Sequence, residues 1–477
     1  MRILWVQPDP EYATGLHRWN VLEPLGLEMI GAALKGRHHM ALLDMRLARG
    51  GLAAALADER PHVVGISSTF TMGVRQTLDI AESVKAAAPQ TFVIVGGHHP
   101  SLSPEDYAHP AVDAIVVGEG ELTTQELVEC LDAGDDPVQV PGLVVNRPEG
   151  QCATGSRSPV GDLDLLPLPD RSLTRLYRAR YHQAMVRPVA SVETTRGCPY
   201  RCRFCAVWPF YQGQVRFKSP ARVVEELAAV AEPNVFFTDD NFLVRADRAV
   251  EIAGLIRARD LRQNYYMQLR SDAIVRFPEI IGEWQEVGLR GVFIGFESPN
   301  QEGLERVNKH ASVESNEQAL DILRRHGIEP AASFIVDPSF GRDDFASLRD
   351  YVRRLKLKWP LFAVLTPLPG TALFEEMRER LTTSDYGLFD LVHAVLPTRL
   401  PLAEFYQELA RLWQTAYPRW KVRLGRALLP LGSPFVQDWR SAQWRRILTG
   451  FEQLIDARVY MKDHARPVNS TCGRTES

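Results

Sequence analysis

Apolar and polar positions along this chain follow two periods, and the period switches repeatedly. "RILWVQ" (2–7) is a short apolar run. "PLGLEMIGAALKGR" (24–37) then spaces its apolar residues three and four apart, as one face of a helix requires. "MALLDM" (40–45), "HVVGISS" (62–68), "TFVIVGGHHP" (91–100) and "AVDAIVVGEGE" (111–121) are further apolar runs. "GVRQTLDIAESVKAAAP" (73–89), which stops at Pro89, and "LTTQELVECLDAG" (122–134) return to helical spacing. Buried strands separated by amphipathic helices predict a parallel, doubly wound α/β sheet, a Rossmann-like domain over residues 1–140. Such sheets bind ligands beyond the carboxyl ends of their strands. Those ends here carry Ser67, Ser68 and Thr69, then Gly96, Gly97 and His98, then Gly118, Glu119 and Gly120. The glycines have two readings: tight turns, or backbone that lets a ligand approach. No G-x-G-x-x-G opens the first helix, so a dinucleotide is not expected.

"NRPEGQCATGSRSPVGDLDLLPLPDRS" (146–172) has no sustained period and reads as a connector, within a linker over 141–185. Alternation resumes over 186–385. Apolar runs in "PVASVETTRG", "NVFFTDDNF", "YYMQLRSDAI", "GVFIGFES", "PAASFIVDP" and "LFAVLTPLPGT" alternate with helical patterns. Six βα units predict a partial (β/α)6 barrel with its chemistry at the strand carboxyl ends. Residues 386–477 read as helical, broken at Pro418, with a disordered tail. Trp413, Trp420, Trp439 and Trp444 fall here, and from Pro418 to Arg446 seven Lys or Arg face one acid, Asp438. A basic stretch with Trp and Leu suits a helix lying on a membrane surface. It equally suits a cap whose Trp side chains pack on the barrel.

Composition narrows the class. Of 477 residues, 45% are hydrophobic and 24% charged, with net charge −4, which is a globular composition without the broad basic face that nucleic acid needs. The N-terminus lacks a signal-peptide core, and no apolar stretch reaches spanning length, so a cytoplasmic protein is expected, peripheral on the cytoplasmic membrane face.

Three of the six cysteines, Cys198, Cys202 and Cys205, lie in "TTRGCPYRCRFC". A structural zinc site takes four ligands, usually as two close pairs. No fourth Cys or His is near, and Cys130, Cys152 and Cys472 are distant in sequence. Three thiolates suit a cuboidal 4Fe–4S cluster with one iron left open for a reactive ligand.

The C-x3-C-x2-C spacing, with Phe204 directly before the last Cys, resembles the radical SAM signature. The resemblance implies that S-adenosylmethionine chelates the open iron and is cleaved to a 5′-deoxyadenosyl radical, with Phe204 near the adenine. It also implies roles at other strand ends. Thr238, Asp239 and Asp240 would meet the methionine amino group, Arg270 its carboxylate, Ser271 a ribose hydroxyl, and Glu297 ribose or amino group. Asp240, Ser271 and Ser298 are alternatively helix N-caps. "TPLPGTALF" (366–374) resembles a recurring segment of the same family.

"PLGLEMIGAALK", "VVGGHHPSLSPED" and "VVGEGELTTQEL" resemble the cobalamin-binding domain fused to many radical SAM enzymes. The D-x-H-x-x-G motif is absent, and the loop after the first strand reads "QPDPEYATG". The resemblance therefore implies cobalamin held without a histidine on cobalt. His98 and His99 are the rival candidates and read as loop residues near the corrin edge.

Together these features, covering the chain to about residue 385, resemble the cobalamin-dependent radical SAM methyltransferases of class B. The implied reaction abstracts hydrogen from an unactivated sp3 carbon and delivers a methyl group from methylcobalamin, which a second S-adenosylmethionine replenishes. "CAVWPFYQGQVRFKSPARVVEELAAV" and the aromatic C-terminal segment are most similar to hopanoid C-3 methylases. A hydrophobic substrate, a hopanoid lipid, and an electron donor such as flavodoxin or ferredoxin are then the expected partners. The rivals are a cobalamin-dependent radical SAM cyclase and, in another class, a cobalamin-binding sensor with a structural cluster.

Overall fold

Successive residues of strand β1, Arg2–Gln7, point to opposite sides of a sheet, and both sides are dry. Ile3 and Trp5 enter one hydrophobic cluster; Leu4 and Val6 enter another. That two-faced burial makes the strand a continuous apolar run. The structure is a computed structural model that describes residues 1–9, 19–48, 50–428 and 439–465. Strands β2 (His39–Asp44), β3 (Val63–Ser67), β4 (Phe92–Gly96) and β5 (Ala114–Val116) join β1 in the parallel order β2-β1-β3-β4-β5. This order reverses between β1 and β3, the switch point where such sheets hold ligands. Helices Leu25–Leu34 and Gly120–Ala133 contribute Leu27, Leu34, Leu127 and Val128 to one cluster. Helix Val74–Ala87 contributes Val74, Leu78, Ala81 and Val84 to the other.

The connector is more ordered than its composition suggests. Strands β6 (Leu143–Arg147) and β7 (Gly150–Ala153) form an antiparallel hairpin on the edge of the first sheet, which thus has seven strands. Downstream, Arg171 reaches Glu23 (2.5 Å) and Glu226 (2.8 Å), and Arg178 reaches Glu23 (2.7 Å) and Glu232 (2.6 Å). These buried pairs stitch the region before the first helix to the second domain.

The second domain is an open parallel sheet of six strands in sequential order. They are β8 (Val189–Val192), β9 (Asn234–Phe237), β10 (Asn264–Leu269), β11 (Leu289–Glu297), β12 (Ala331–Val336) and β13 (Trp359–Val364). The six predicted βα units correspond to these strands. Helix Leu402–Ala416 packs beside β13 and buries Phe405, Leu409, Leu412 and Trp413. Each is worth about 1.5–3 kcal/mol relative to exposure. Trp413 meets Phe362 edge-on at 5.0 Å and Trp19 at 6.0 Å. This Trp therefore packs on the barrel and is removed from the membrane-facing set. Residues 429–438, the side chains of Trp439 and Arg440, and the tail with Cys472 lie outside what is described.

Candidate functional site

Strand β8 runs directly into the cysteine loop, and β9 clamps its start. Asp239, buried at the end of β9, accepts the backbone N–H of Thr194 (2.6 Å) and of Thr195 (2.9 Å), and the Thr194 hydroxyl. Arg248 donates to the Thr194 carbonyl (2.9 Å). Thr195–Arg196 then pairs antiparallel with Arg216–Phe217, closing the loop at its neck. Gly197 must be glycine: its φ is +90°, and a Cβ would lie 2.1 Å from the Gln214 carbonyl oxygen.

Cys198, Cys202 and Cys205 share this loop and are partly exposed. Two neighbouring helices, Gln301–Arg306 at its C-terminal end and Ala372–Met377, hold it from outside. The Arg203 N–H donates to the Val307 carbonyl, Asn308 donates to the Arg201 carbonyl (2.8 Å), and Arg203 pairs with Glu376. Burial raises all three thiols, Cys205 to about 12; Cys202 adds to the rise at Cys198, and both add to that at Cys205. Among the described residues, no three His, Cys, Asp or Glu side chains close round a single ion. A cuboidal cluster instead places each thiolate on a different iron, and a soft three-thiol set with no fourth partner fits that demand. Phe204 is half-buried in the same loop.

The other expected residues divide into anchors and open groups. Asp239 is an anchor, engaged as above. So is Arg270: its guanidinium lies 3.6 Å over the Tyr200 ring, pairs with Asp272 (2.9 Å) and donates to the Lys309 carbonyl (2.6 Å). Nε and Nη2 are thus occupied by protein. Glu297, with φ +59° at the end of β11, is buried against Lys309 at 2.7 Å. Asp240 is open. Its surface is accessible while protein encloses most of it, and this burial, with Asp239 and Glu193 nearby, pushes its carboxyl up to about 7. Ser271 is fully buried, and its Oγ has no hydrogen-bond partner among the described residues, nor does Asn241 Oδ1. None of the three proposed caps is one. Asn300 caps the helix after β11, and the helices after Asp240 and Arg270 lack a side-chain cap. Ser298 instead accepts the Asn300 N–H (3.2 Å).

In the first sheet, Ser68 turns inward to Tyr107 (2.6 Å), whereas Thr69 is exposed. Ser67 and Gly96 are half-buried. A Cβ on Gly97 (φ +135°) would lie 2.4 Å from the Ser68 carbonyl oxygen, so this glycine serves a close approach of protein to protein. Gly118 (φ +83°) has open space where a Cβ would be. His99 is held through both ring nitrogens, by Thr71 (3.1 Å) and Asp106 (2.9 Å), which removes it as a cobalt ligand. His98 packs tilted against Phe210 at 4.1 Å, and burial lowers its pKa to about 4. Glu119 pairs with Arg196 and Arg216; burial alone would raise its carboxyl, but these cations hold it below the usual range. Sequence reasoning assigned no role to Glu193, Arg196, Asn241 or Arg216. The charged residues flanking the loop in "ETTRGC" and "QVRFK" are the signal for three of them. A hollow of about 750 Å3 over edge strand β2 contains none of these residues.

The B12 binding domain family matches residues 14–128, and the Radical SAM superfamily matches residues 192–351. The hopanoid C-3 methylase of Methylococcus capsulatus is 34% identical, spanning 98% of this chain and 90% of that protein. The chain belongs to the cobalamin-dependent radical SAM methylases. The two families give it cobalamin and S-adenosylmethionine, and the solved structure of TsrM from Kitasatospora setae, 18% identical with a TM-score of 0.68 over 97% of this chain and 99% of that one, holds cobalamin and a [4Fe–4S] cluster. The anaerobic magnesium-protoporphyrin IX monomethyl ester cyclase of Rubrivivax gelatinosus is more distant, at 27% identity over 71% of this chain and 62% of that one. The solved structure of OxsB, a cobalamin-dependent S-adenosylmethionine radical enzyme, has the same fold. Its TM-score is 0.72, over 97% of this methylase and 74% of OxsB, at 17% identity.

Proposed function

We propose that the methylase acts at C-3 of a hopanoid. Residues 1–140 bind cobalamin, 141–185 link the domains, 186–385 hold cluster and S-adenosylmethionine, and 386–477 form a helical cap. The observation that carries the substrate is the 34% identity to a hopanoid C-3 methylase across nearly the whole of both chains. The lower identity to the cyclase favours methyl transfer over ring closure.

In this reading Cys198, Cys202 and Cys205 hold three irons. The bound cofactors supply a hydrogen-abstracting radical and a methyl group. The chain binds and orients. Asp240, kept near 7 by burial and two neighbouring carboxylates, ionises when the methionine ammonium arrives. The unpartnered Ser271 Oγ and Asn241 Oδ1 suit polar atoms of the cosubstrate. Phe204 would meet the adenine of bound S-adenosylmethionine, and Glu297 and Arg270 would support the site through Lys309 and Asp272. Thr69 and Gly118, both open to space, would face a bound corrin, while Ser67, Ser68, Gly96, Gly97, His98 and Glu119 would shape the loops that hold it. A low-potential one-electron donor, such as flavodoxin or ferredoxin, reduces the cluster.

Substrate is collected at an anionic cytoplasmic membrane face. No helix among the described residues is long and apolar enough to cross a membrane. Helix Arg419–Leu428 carries Arg419, Lys421, Arg423 and Arg426 and no acid. It exposes Trp420 (62%) and Leu424 (50%) beside an open cavity of about 760 Å3, and Trp444 is exposed nearby. Each cation near anionic lipid contributes about 1 kcal/mol, enough together for reversible attachment. Reversing Lys421, Arg423 and Arg426 to Glu should release the protein from anionic vesicles and slow methylation of embedded hopanoid. Substrate-free cleavage of S-adenosylmethionine should be unchanged. Undiminished vesicle binding would remove the membrane contact, and turnover of a water-soluble compound without activity on hopanoids would remove the substrate.

A further inference from the structure

Buried charge bolts the first sheet to the cysteine loop. Arg196, two residues before Cys198, is buried and reaches three carboxylates: Glu193 on its own strand end (2.8 Å), Glu121 (2.5 Å) and Glu119 (3.1 Å). Glu119 and Glu121 stand at the start of helix Gly120–Ala133, directly after β5. Arg216, on the segment that closes the cysteine loop, grips the same Glu119 with both terminal nitrogens (2.5 and 3.0 Å) and donates to the Val160 carbonyl (2.6 Å). An aromatic contact lies beside the ionic one. His98, after β4, packs tilted against Phe210 at 4.1 Å and meets Tyr211 edge-on at 6.3 Å.

The other buried ionic network of the junction, Arg171 and Arg178 with Glu23, Glu226 and Glu232, runs through the linker, whereas this one joins the two loops directly. Apolar surfaces adhere but tolerate sliding. A guanidinium fork on a carboxylate fixes both distance and angle. Burying five charges is a poor source of net stability, because desolvation offsets much of the attraction. What the lattice provides is geometry, and it provides it between two particular loops. The loop bearing Gly118 and Glu119 belongs to the expected cobalamin site, and the loop closed by Arg196 and Arg216 carries the three cysteines. A carbon radical must meet its methyl donor before it is quenched, so the two halves need a fixed separation.

We infer that Arg196 and Arg216 are positioning residues: gripping Glu119 and Glu121, they set the distance between the cobalamin loops and the cysteine loop. This rests on the cofactor assignments proposed above. Neither arginine needs to touch a cofactor. Loosening the grip should leave each cofactor bound and radical generation intact, while the radical and the methyl donor lose register.

The test uses full-length protein loaded with cluster and cobalamin, as wild type and as Arg196→Lys, Arg216→Lys and Glu121→Gln, the last at the 2.5 Å partner of Arg196. The lysine variants keep the charge and lose the fork; the glutamine variant keeps the shape and loses the charge. Pulsed EPR on the Co(II), cluster-reduced state, without turnover, reads the dipolar separation of the two centres. The expected result is a shifted or broadened distribution in the variants at wild-type iron and cobalamin content. The ratio of 5′-deoxyadenosine to methylated product should rise by about tenfold, since displacement of about an ångström at a reacting pair costs one to two orders of magnitude. Arg354→Lys, at a surface pair with Glu317 (2.7 Å) between two helices of the second domain, should change neither. Wild-type coupling that is identical in all three variants, with an unchanged ratio, would overturn the inference alone. No dipolar coupling even in wild type would overturn the cofactor assignment, and this inference with it.

Discussion

Asp239 and Asp240 are neighbours with opposite jobs. Asp239 satisfies three donors from Thr194 and Thr195 and holds the base of the cysteine loop. Asp240 is accessible and is not so engaged. Asp239→Asn loses acceptor capacity in a buried site and should destabilise the fold by about 1–3 kcal/mol, measured by denaturant unfolding. Asp240→Asn should unfold like wild type but raise the KM for S-adenosylmethionine by about tenfold, the worth of one charge-assisted hydrogen bond. A stability loss at Asp240 with an unchanged KM would reverse the assignment. Cys198→Ala, Cys202→Ala and Cys205→Ala should each abolish 5′-deoxyadenosine formation, and Cys130→Ala should not. The acidic pair was legible in "FFTDDNF", but its division was not. What separates the two is Thr194, 45 positions away along the chain. The surroundings of Arg270 were hidden for the same reason: Tyr200 and Lys309, distant along the chain, reach it only in three dimensions.

Among the elements, the helix Ala457–His464 is docked by a titratable group. His393 lies between Asp390 (2.9 Å) and Asp463 (3.5 Å), with Tyr406, Tyr460 and His464 around it. Burial would lower its pKa, but the two carboxylates outweigh burial and raise it to about 9. The folded value exceeds the unfolded one, so this stabilisation is complete below about pH 6.5 and is lost as pH rises through about 9. Thermal unfolding should therefore show a drop in Tm across that interval, and His393→Gln should flatten it. An equally steep drop in the variant would show that other groups titrate. Strands buried on both faces were legible because their apolar runs are continuous. The β6–β7 hairpin was not, since it is short, sits at the sheet edge and is built from "NRPEGQ". The C-terminal Trp residues were ambiguous because composition does not say which side of a helix meets protein; Trp413 packs inward and Trp420 outward.

At the scale of the molecule, the two domains share one ionic core around the linker. Arg171 neutralises Glu23 and Glu226 and lies 3.5 Å from Glu28, whose carboxyl is raised to about 8 by burial and by Glu23. Arg171→Met should leave Glu23 to Arg178 alone and Glu226 to Lys218 alone, and cost about 3 kcal/mol, read as a fall in unfolding midpoint. A neutral effect would mean that the network is dispensable. The central claim is that this architecture methylates a hopanoid carbon by radical chemistry. Its most direct test is mass spectrometry of an anaerobic reaction containing reconstituted protein, reductant, S-adenosylmethionine with a deuterated methyl group, and vesicle-borne hopanoid. The predicted result is a hopanoid heavier by one methylene unit that carries the label, formed together with 5′-deoxyadenosine. Formation of 5′-deoxyadenosine with hopanoid of unchanged mass would contradict it.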